Sequence, residues 1–331
     1  MFKIYEECVD TKYPNIQTLT MVSCLLLGLA ILTGLIFLPI LLKHVKGPRR
    51  ILMVLQQICI IGYLSLMTVF MIFMMKPTGQ DWIKSILWRD GTKLRSLGIG
   101  LHLLEFWKYF FYFAYYCFSL MQTIDLHCMI CQPFRYETFA KTKNVVKLAL
   151  AGTGVCLLLS IESLVRMFFV WHVRKVSLSV TYSVHYYFGI IRVITVVKFG
   201  IAKLTYTLFA GKLALEIKTK LAEMSALSTN QDRSSTNIAL FRFNLIPLIV
   251  NIFLLGHDIP LLIILFMNKG RNCSMKPLEP IFIIVSAVSF TVTSFSYSVG
   301  YISLFPKIRS AFKWKRCCAG SNDVGNDGTD Q

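Results

Sequence analysis

Long apolar runs separated by short polar punctuation dominate this chain. Seven windows meet the roughly 20 residues that a helix needs to cross a hydrocarbon core: 18–42, 51–75, 97–124, 146–170, 184–209, 241–267 and 280–305. The fifth is the most polar, with Arg192, Lys198 and Lys203 inside it. A basic side chain at mid-membrane costs about 2.5–3.5 kcal/mol on insertion scales, so these three are expected to face protein, water or an interface. The segments between windows are short, which leaves no room for a soluble catalytic domain. The pattern predicts an all-α membrane protein, a seven-transmembrane helix bundle with a short interfacial helix after the seventh span.

The polar punctuation sets the rest of the organisation. Residues 1–17 are expected outside the membrane, 18–305 in the bundle, 306–318 in the interfacial helix and 319–331 in a disordered cytosolic tail. In the interfacial helix Phe305, Ile308 and Phe312 recur on one side, with Arg309, Lys313 and Arg316 on the other. Cys317 and Cys318 follow directly, a placement that fits S-palmitoylation and equally fits two unmodified thiols. The Gly-, Asn- and Asp-rich tail is too polar to bury a core. Between the fifth and sixth windows, Lys212 to Met224 reads as a helical extension of the fifth span, and residues 225–237 then turn polar.

Composition narrows the class. Of 331 residues, 55% are hydrophobic and 16% charged, far from the balance of a soluble domain. The net charge of +18 lies in short loops and at helix ends, which suits an anionic lipid bilayer and gives no basic domain for nucleic acid. The first residues lack the basic and apolar regions of a signal peptide, so the first span is expected to act as a signal anchor. Lys43, Lys46, Arg49 and Arg50 follow that span, while Glu6, Glu7 and Asp10 precede it. The bias favours an amino terminus outside and a carboxyl terminus inside.

The ten cysteines add little chemistry. Cys24, Cys59, Cys117 and Cys156 fall inside spans and read as packing residues. Cys128 and Cys131 form a CxxC without the second ligand pair that zinc would need. On the expected outer side, Cys8 and Cys273 are candidates for a disulfide. Asn272, in the sequon Asn272-Cys273-Ser274, is a competing candidate for glycosylation.

No catalytic motif is present: no GxSxG, HExxH, phosphate loop or dinucleotide turn. The chain is therefore expected not to be an enzyme, and to need neither metal nor cofactor. The costly intramembrane polar residues are the remaining pointers. His102, Glu105, Tyr109, Tyr112 and Tyr116 share one helical face of the third span, with Lys108 placed to pair with Glu105. Two readings of this stripe stand: a ligand pocket, to which tyrosine suits itself, or an interhelical packing face. In the sixth window, His257-Asp258-Ile259-Pro260 combines an ionisable group with a helix-bending proline. Asp258 reads as a functional partner of Arg192, Lys198 or Lys108, or as a residue of the outer interface. Glu162 and Arg166 are spaced to neutralise each other.

The exit of the third span, Asp125-Leu126-His127-Cys128-Met129-Ile130-Cys131-Gln132-Pro133-Phe134-Arg135-Tyr136, resembles the signature of rhodopsin-like receptors. There an Asp-Arg-Tyr triplet is followed by Ile, Pro and Tyr; Asp125, Ile130, Pro133 and Tyr136 take the matching places. Tyr301 followed by Leu304-Phe305-Pro306 is similar to that family's closing motif, and Pro260 to its bend proline. Leu126 stands where the family has its G-protein-contacting Arg. Tyr297 and Ser298 replace the Asn-Pro before Tyr301, and the family's outer disulfide cannot form. With Met129-Ile130-Cys131-Gln132-Pro133-Phe134, this pattern is similar to the divergent nematode serpentine chemoreceptors of the xa class.

The resemblance implies a chemosensory G-protein-coupled receptor, multi-pass in the plasma membrane of sensory neurons, sensory cilium included. It would bind a small-molecule ligand between its helices and signal to a heterotrimeric G protein. The ligand-side residues are then Glu105, Lys108, Tyr109, Tyr112, Tyr116, Arg192, His257 and Asp258. The coupling-side residues are Asp125, Leu126, His127, Pro133, Arg135 and Tyr301. Lys108 stands where amine receptors keep an acidic residue, which disfavours a cationic amine. The rival expectation is a seven-span ligand-gated channel or transporter, which an inside amino terminus would favour.

Overall fold

In the computed structural model, the described residues are 14–44, 48–75, 92–162, 164–165, 181–227, 238, 240–242, 244–255, 285, 288–297 and 300. They are almost entirely helical, and no strand occurs among them. The helices are α1 (Pro14–His44), α2 (Pro48–Met75), α3 (Thr92–Cys131), α4 (Pro133–Phe139), α5 (Thr142–Ser160) and α6 (Thr181–Leu227). Two further pieces are α7 (Leu240–Leu255) and α8, residues 288–297. Within these, Met21–Lys43, Arg49–Val69 and Thr142–Ser160 are long and apolar enough to cross a membrane.

Proline punctuates the starts. Pro14, Pro48 and Pro133 each open a helix, where the missing N–H has no intrahelical partner to lose. Pro39 instead lies inside α1. The fourth apolar window, 146–170, overlaps α5, and residues 162, 164 and 165 beyond that helix are helical again. α5 starts earlier, at Thr142, and ends at Ser160, where the Ile161 N–H turns back to the Leu158 carbonyl at 3.3 Å. The expected extension of the fifth span is present, since α6 continues unbroken to Leu227.

Each peripheral helix buries one stripe and exposes the rest. In α1 the buried positions are Ser23, Leu27, Ala30, Gly34, Phe37 and Leu41, while Leu25, Leu29, Leu32 and Leu35 are exposed. In α5 they are Val145, Ala149, Gly152, Cys156 and Ser160, with Leu150, Val155 and Leu158 exposed. Spacings of three and four residues are those of a single helical face. Apolar surface this continuous on the outer faces is hostile to water and suits a lipid environment.

α3 is the central element and packs against α2, α5 and α6. It is buried without interruption from Tyr112 to Tyr116, so the direction of its side chains cannot be read from periodicity alone. Glycine permits two close approaches to it. A Cβ at Gly62 of α2 would lie 2.8 Å from the Phe111 ring, and one at Gly152 of α5 would lie 2.8 Å from Cys117 Sγ. Small residues at such crossings let helix backbones come together where lipid offers no hydrophobic drive.

Candidate functional site

The end of α3 is fixed by its sequence. Gln132 leaves helical geometry at φ −135° and ψ 60°, and Pro133 starts α4 on a new axis. α4 is held to its neighbours by Tyr136 N–H to Gln132 O at 3.0 Å, and Ala140 N–H to Tyr136 O at 2.7 Å.

Just before this break, three consecutive residues tie α3 to three surroundings. Successive helical side chains point about 100° apart, so Asp125, Leu126 and His127 leave α3 in different directions. Asp125, 1% exposed, accepts at Oδ2 from Arg49 Nε at 2.7 Å and Nη2 at 2.6 Å. Arg49 Nη2 also reaches Met129 Sδ at 3.5 Å. Leu126 is buried in an apolar seal with Ile130 of α3, Ile217 and Leu221 of α6, and Leu240 of α7. His127 Nε2 lies 2.7 Å from Glu216 Oε2 of α6. Tyr136 sits close enough to feel this charge. Burial first, then Asp125, pushes its phenol up, with Arg49 opposing.

A neutral polar cluster lies farther inside. Gln56 Nε2 of α2 donates to Ser119 Oγ at 2.6 Å and Tyr297 Oη at 2.7 Å, and Gln122 Nε2 donates to Gln56 Oε1 at 2.6 Å. One side chain thereby joins α2, α3 and α8. Its neighbour Gln57 is equally buried, yet its amide finds no hydrogen-bond partner among the described residues.

The tyrosine stripe of α3 is packed rather than open where it is described. Tyr112 and Tyr116 are each 5% exposed. The Tyr112 ring meets Tyr63, Phe113, Tyr116, Phe199 and Phe290 at centroid distances of 4.7–5.9 Å. The ammonium of buried Lys203 lies 5.8 Å from the same ring. Tyr109 donates to Glu105 Oε1 at 2.7 Å, and Lys108 lies 5.0 Å from the Tyr109 ring centroid. Arg166, the partner expected of Glu162, lies outside the described residues. Glu162 bonds Lys198 of α6 at 2.7 Å. Lys198 also donates to the Leu159 carbonyl and lies 5.4 Å from the Phe113 ring centroid.

The structure thus brings Asp125, Leu126, His127 and Pro133 together at one end, and Tyr109, Tyr112 and Tyr116 in the aromatic core. Arg192 lies on α6 and Arg135 on α4, with side chains outside the described set. Arg166, His257, Asp258, Pro260, Tyr301, Cys8, Asn272, Cys273, Cys317 and Cys318 lie outside the described residues, as do segments 306–318 and 319–331. No group of metal-ligating side chains occurs among the described residues, and Cys128 and Cys131 are in no disulfide. Sequence reading missed Arg49 as the partner of Asp125, and Glu216 as that of His127. Both are long-range pairs, and no local signal announces them.

No protein-family model matches this chain, and no curated protein matches it either.

Proposed function

We propose that this chain is a seven-span, rhodopsin-like chemosensory receptor that binds a small extracellular ligand and signals to a heterotrimeric G protein. The observation that carries the reading is the closed end of α3 beside a projecting hydrophobic side chain. Asp125, Leu126 and His127 close the end against α2, α6 and α7, while Phe134 of α4 is 93% exposed. A phenyl group held outward on a short helix is not packed against the described residues. It suits docking of a protein partner.

In this reading a ligand would bias the helix equilibrium from the aromatic core. Separation of α6 from α3 would then uncover Leu126 and Ile130 next to Phe134. The outer halves of the helices would supply the ligand site, with Glu105, Lys108 and Tyr109 on α3 and Arg192 on α6. Asp258 and His257 would complete it from the sixth span. Leu126 in place of an arginine means that the coupling face is apolar rather than cationic at its centre.

Topology is the first test. Epitope tags on both termini are probed in intact and permeabilised cells. The amino-terminal tag is expected to be accessible in intact cells and the carboxyl-terminal tag only after permeabilisation. The reverse result would place Phe134 outside, end the G-protein reading and favour a channel.

A further inference from the structure

The His127–Glu216 contact differs from the Arg49–Asp125 contact in one chemical respect. Imidazole changes charge between about pH 5 and 8, whereas a guanidinium stays charged throughout. The two sides of the contact are also unequally shielded. The His127 side chain is 11% exposed and Glu216 46%, so the pair is anchored in the bundle yet open to bulk protons from one side.

The groups around it do not duplicate its chemistry. On α6, Lys220 is bonded to Glu223 at 2.7 Å. Arg49 of α2 is bonded to Asp125. Exposed Lys212 lies one turn before Glu216 on the same helix, and Lys218 two residues after it. Arg50 of α2, Cys128 and Cys131 of α3, Tyr136 and Glu137 of α4, Lys141 and Lys143 at the start of α5, and exposed Arg242 of α7 are further charged or titratable groups described at this end, none of them an imidazole. Glu216 sits one residue before Ile217, which belongs to the seal around Leu126. Whatever holds Glu216 therefore holds the seal.

We propose that His127 and Glu216 form a proton-operated latch that fastens α6 over the Leu126 seal, so that acidification of the compartment facing this end keeps it closed. With His127 neutral, Nε2–H donates an ordinary hydrogen bond to the carboxylate. A proton taken up at Nδ1 leaves that bond in place and makes it a charged pair, which is the stronger kind. The latch rests on the receptor reading only for two things: that the facing compartment is the cytosol, and that opening permits coupling.

The test is amide hydrogen exchange on the full chain in lipid nanodiscs at pH 7.5 and pH 6.0, corrected for intrinsic exchange. Residues 213–227 of α6 are the reporter and residues 52–64 of α2 the internal control. Protection of the reporter relative to the control is expected to rise about two- to fivefold at pH 6.0. His127→Asn and Glu216→Gln should abolish that rise. His127→Lys should give high protection at both pH values. Glu216 is half exposed, so its variant keeps the test usable if a His127 variant fails to fold. An absent rise in the native chain, or one that survives either neutral variant, overturns the latch. The readout is structural, so failure to couple to a G protein leaves the result standing. An inverted topology would move the latch to the other compartment without removing its proton response.

Discussion

Arg49 Nε and Nη2 both bond one oxygen of Asp125, 76 positions later in the chain. The carboxylate is 1% exposed and the Arg49 side chain 19%, so the pair is shielded mainly on its acidic side. Breaking such a pair strands a charge, whereas replacing both partners removes the need for one. Arg49→Ala is expected to cost about 3 kcal/mol, and the double variant Arg49→Met with Asp125→Leu to recover most of that loss. Thermal unfolding of the purified protein in detergent measures both. An additive double variant would show that the two residues act independently.

The adjacent glutamines of α2 should respond in opposite senses. Gln56→Leu removes the hub linking Ser119, Gln122 and Tyr297, at a cost of about 1–3 kcal/mol. Gln57→Leu replaces a buried amide that no described residue satisfies, so stability should hold or rise. The same unfolding measurement decides, and equal losses would refute the distinction.

Gly152 marks the closest crossing of α5 over α3, with Cys117 Sγ and the Met121 methyl against it. Gly152→Leu is expected to destabilise the fold by roughly 1–3 kcal/mol through overpacking. Gly154→Leu serves as control, because nothing lies within 4 Å of a Cβ there. A shift in unfolding temperature confined to the first variant is the expected result.

Phe134 carries the sharpest separation of stability from signalling. At 93% exposure, Phe134→Ala should change stability by less than about 0.5 kcal/mol. Ligand-independent association with purified G protein, measured with a constitutively open variant such as Leu126→Asp, should fall at least several-fold. Unchanged association would remove Phe134 from the proposed docking surface.

The sequence is legible where one residue type has one physical role. Pro133, which can open a helix but not continue one, stands at the break after α3, and Lys212 to Met224 announced the extension of α6 through its apolar spacing. Boundaries set by tertiary contact were less legible. α5 begins at Thr142, four residues before the apolar window that predicts it, and Glu162 finds Lys198 on another helix. The Tyr112 stripe illustrates a different limit. A face lined with tyrosines has the same spacing whether a ligand or Phe199 and Phe290 fill the space beside it. The closing residues of the site were half visible: Asp125 and His127 stood out, but Arg49 and Glu216 come from other helices.

α6 has no proline along its 47 residues, and Lys203 in the aromatic core and Glu216 at the seal lie on the same rod. About 20 Å of helix separates them, and an intact helix resists bending between two such points. A tilt of about 5° at the level of Lys203 would therefore swing Glu216 sideways by roughly 2 Å over that arm, enough to part a 2.7 Å contact. On the receptor reading proposed above, the length of this lever sets the mechanical gain, and no chain of rearranging side chains is needed to carry a stimulus from one end to the other.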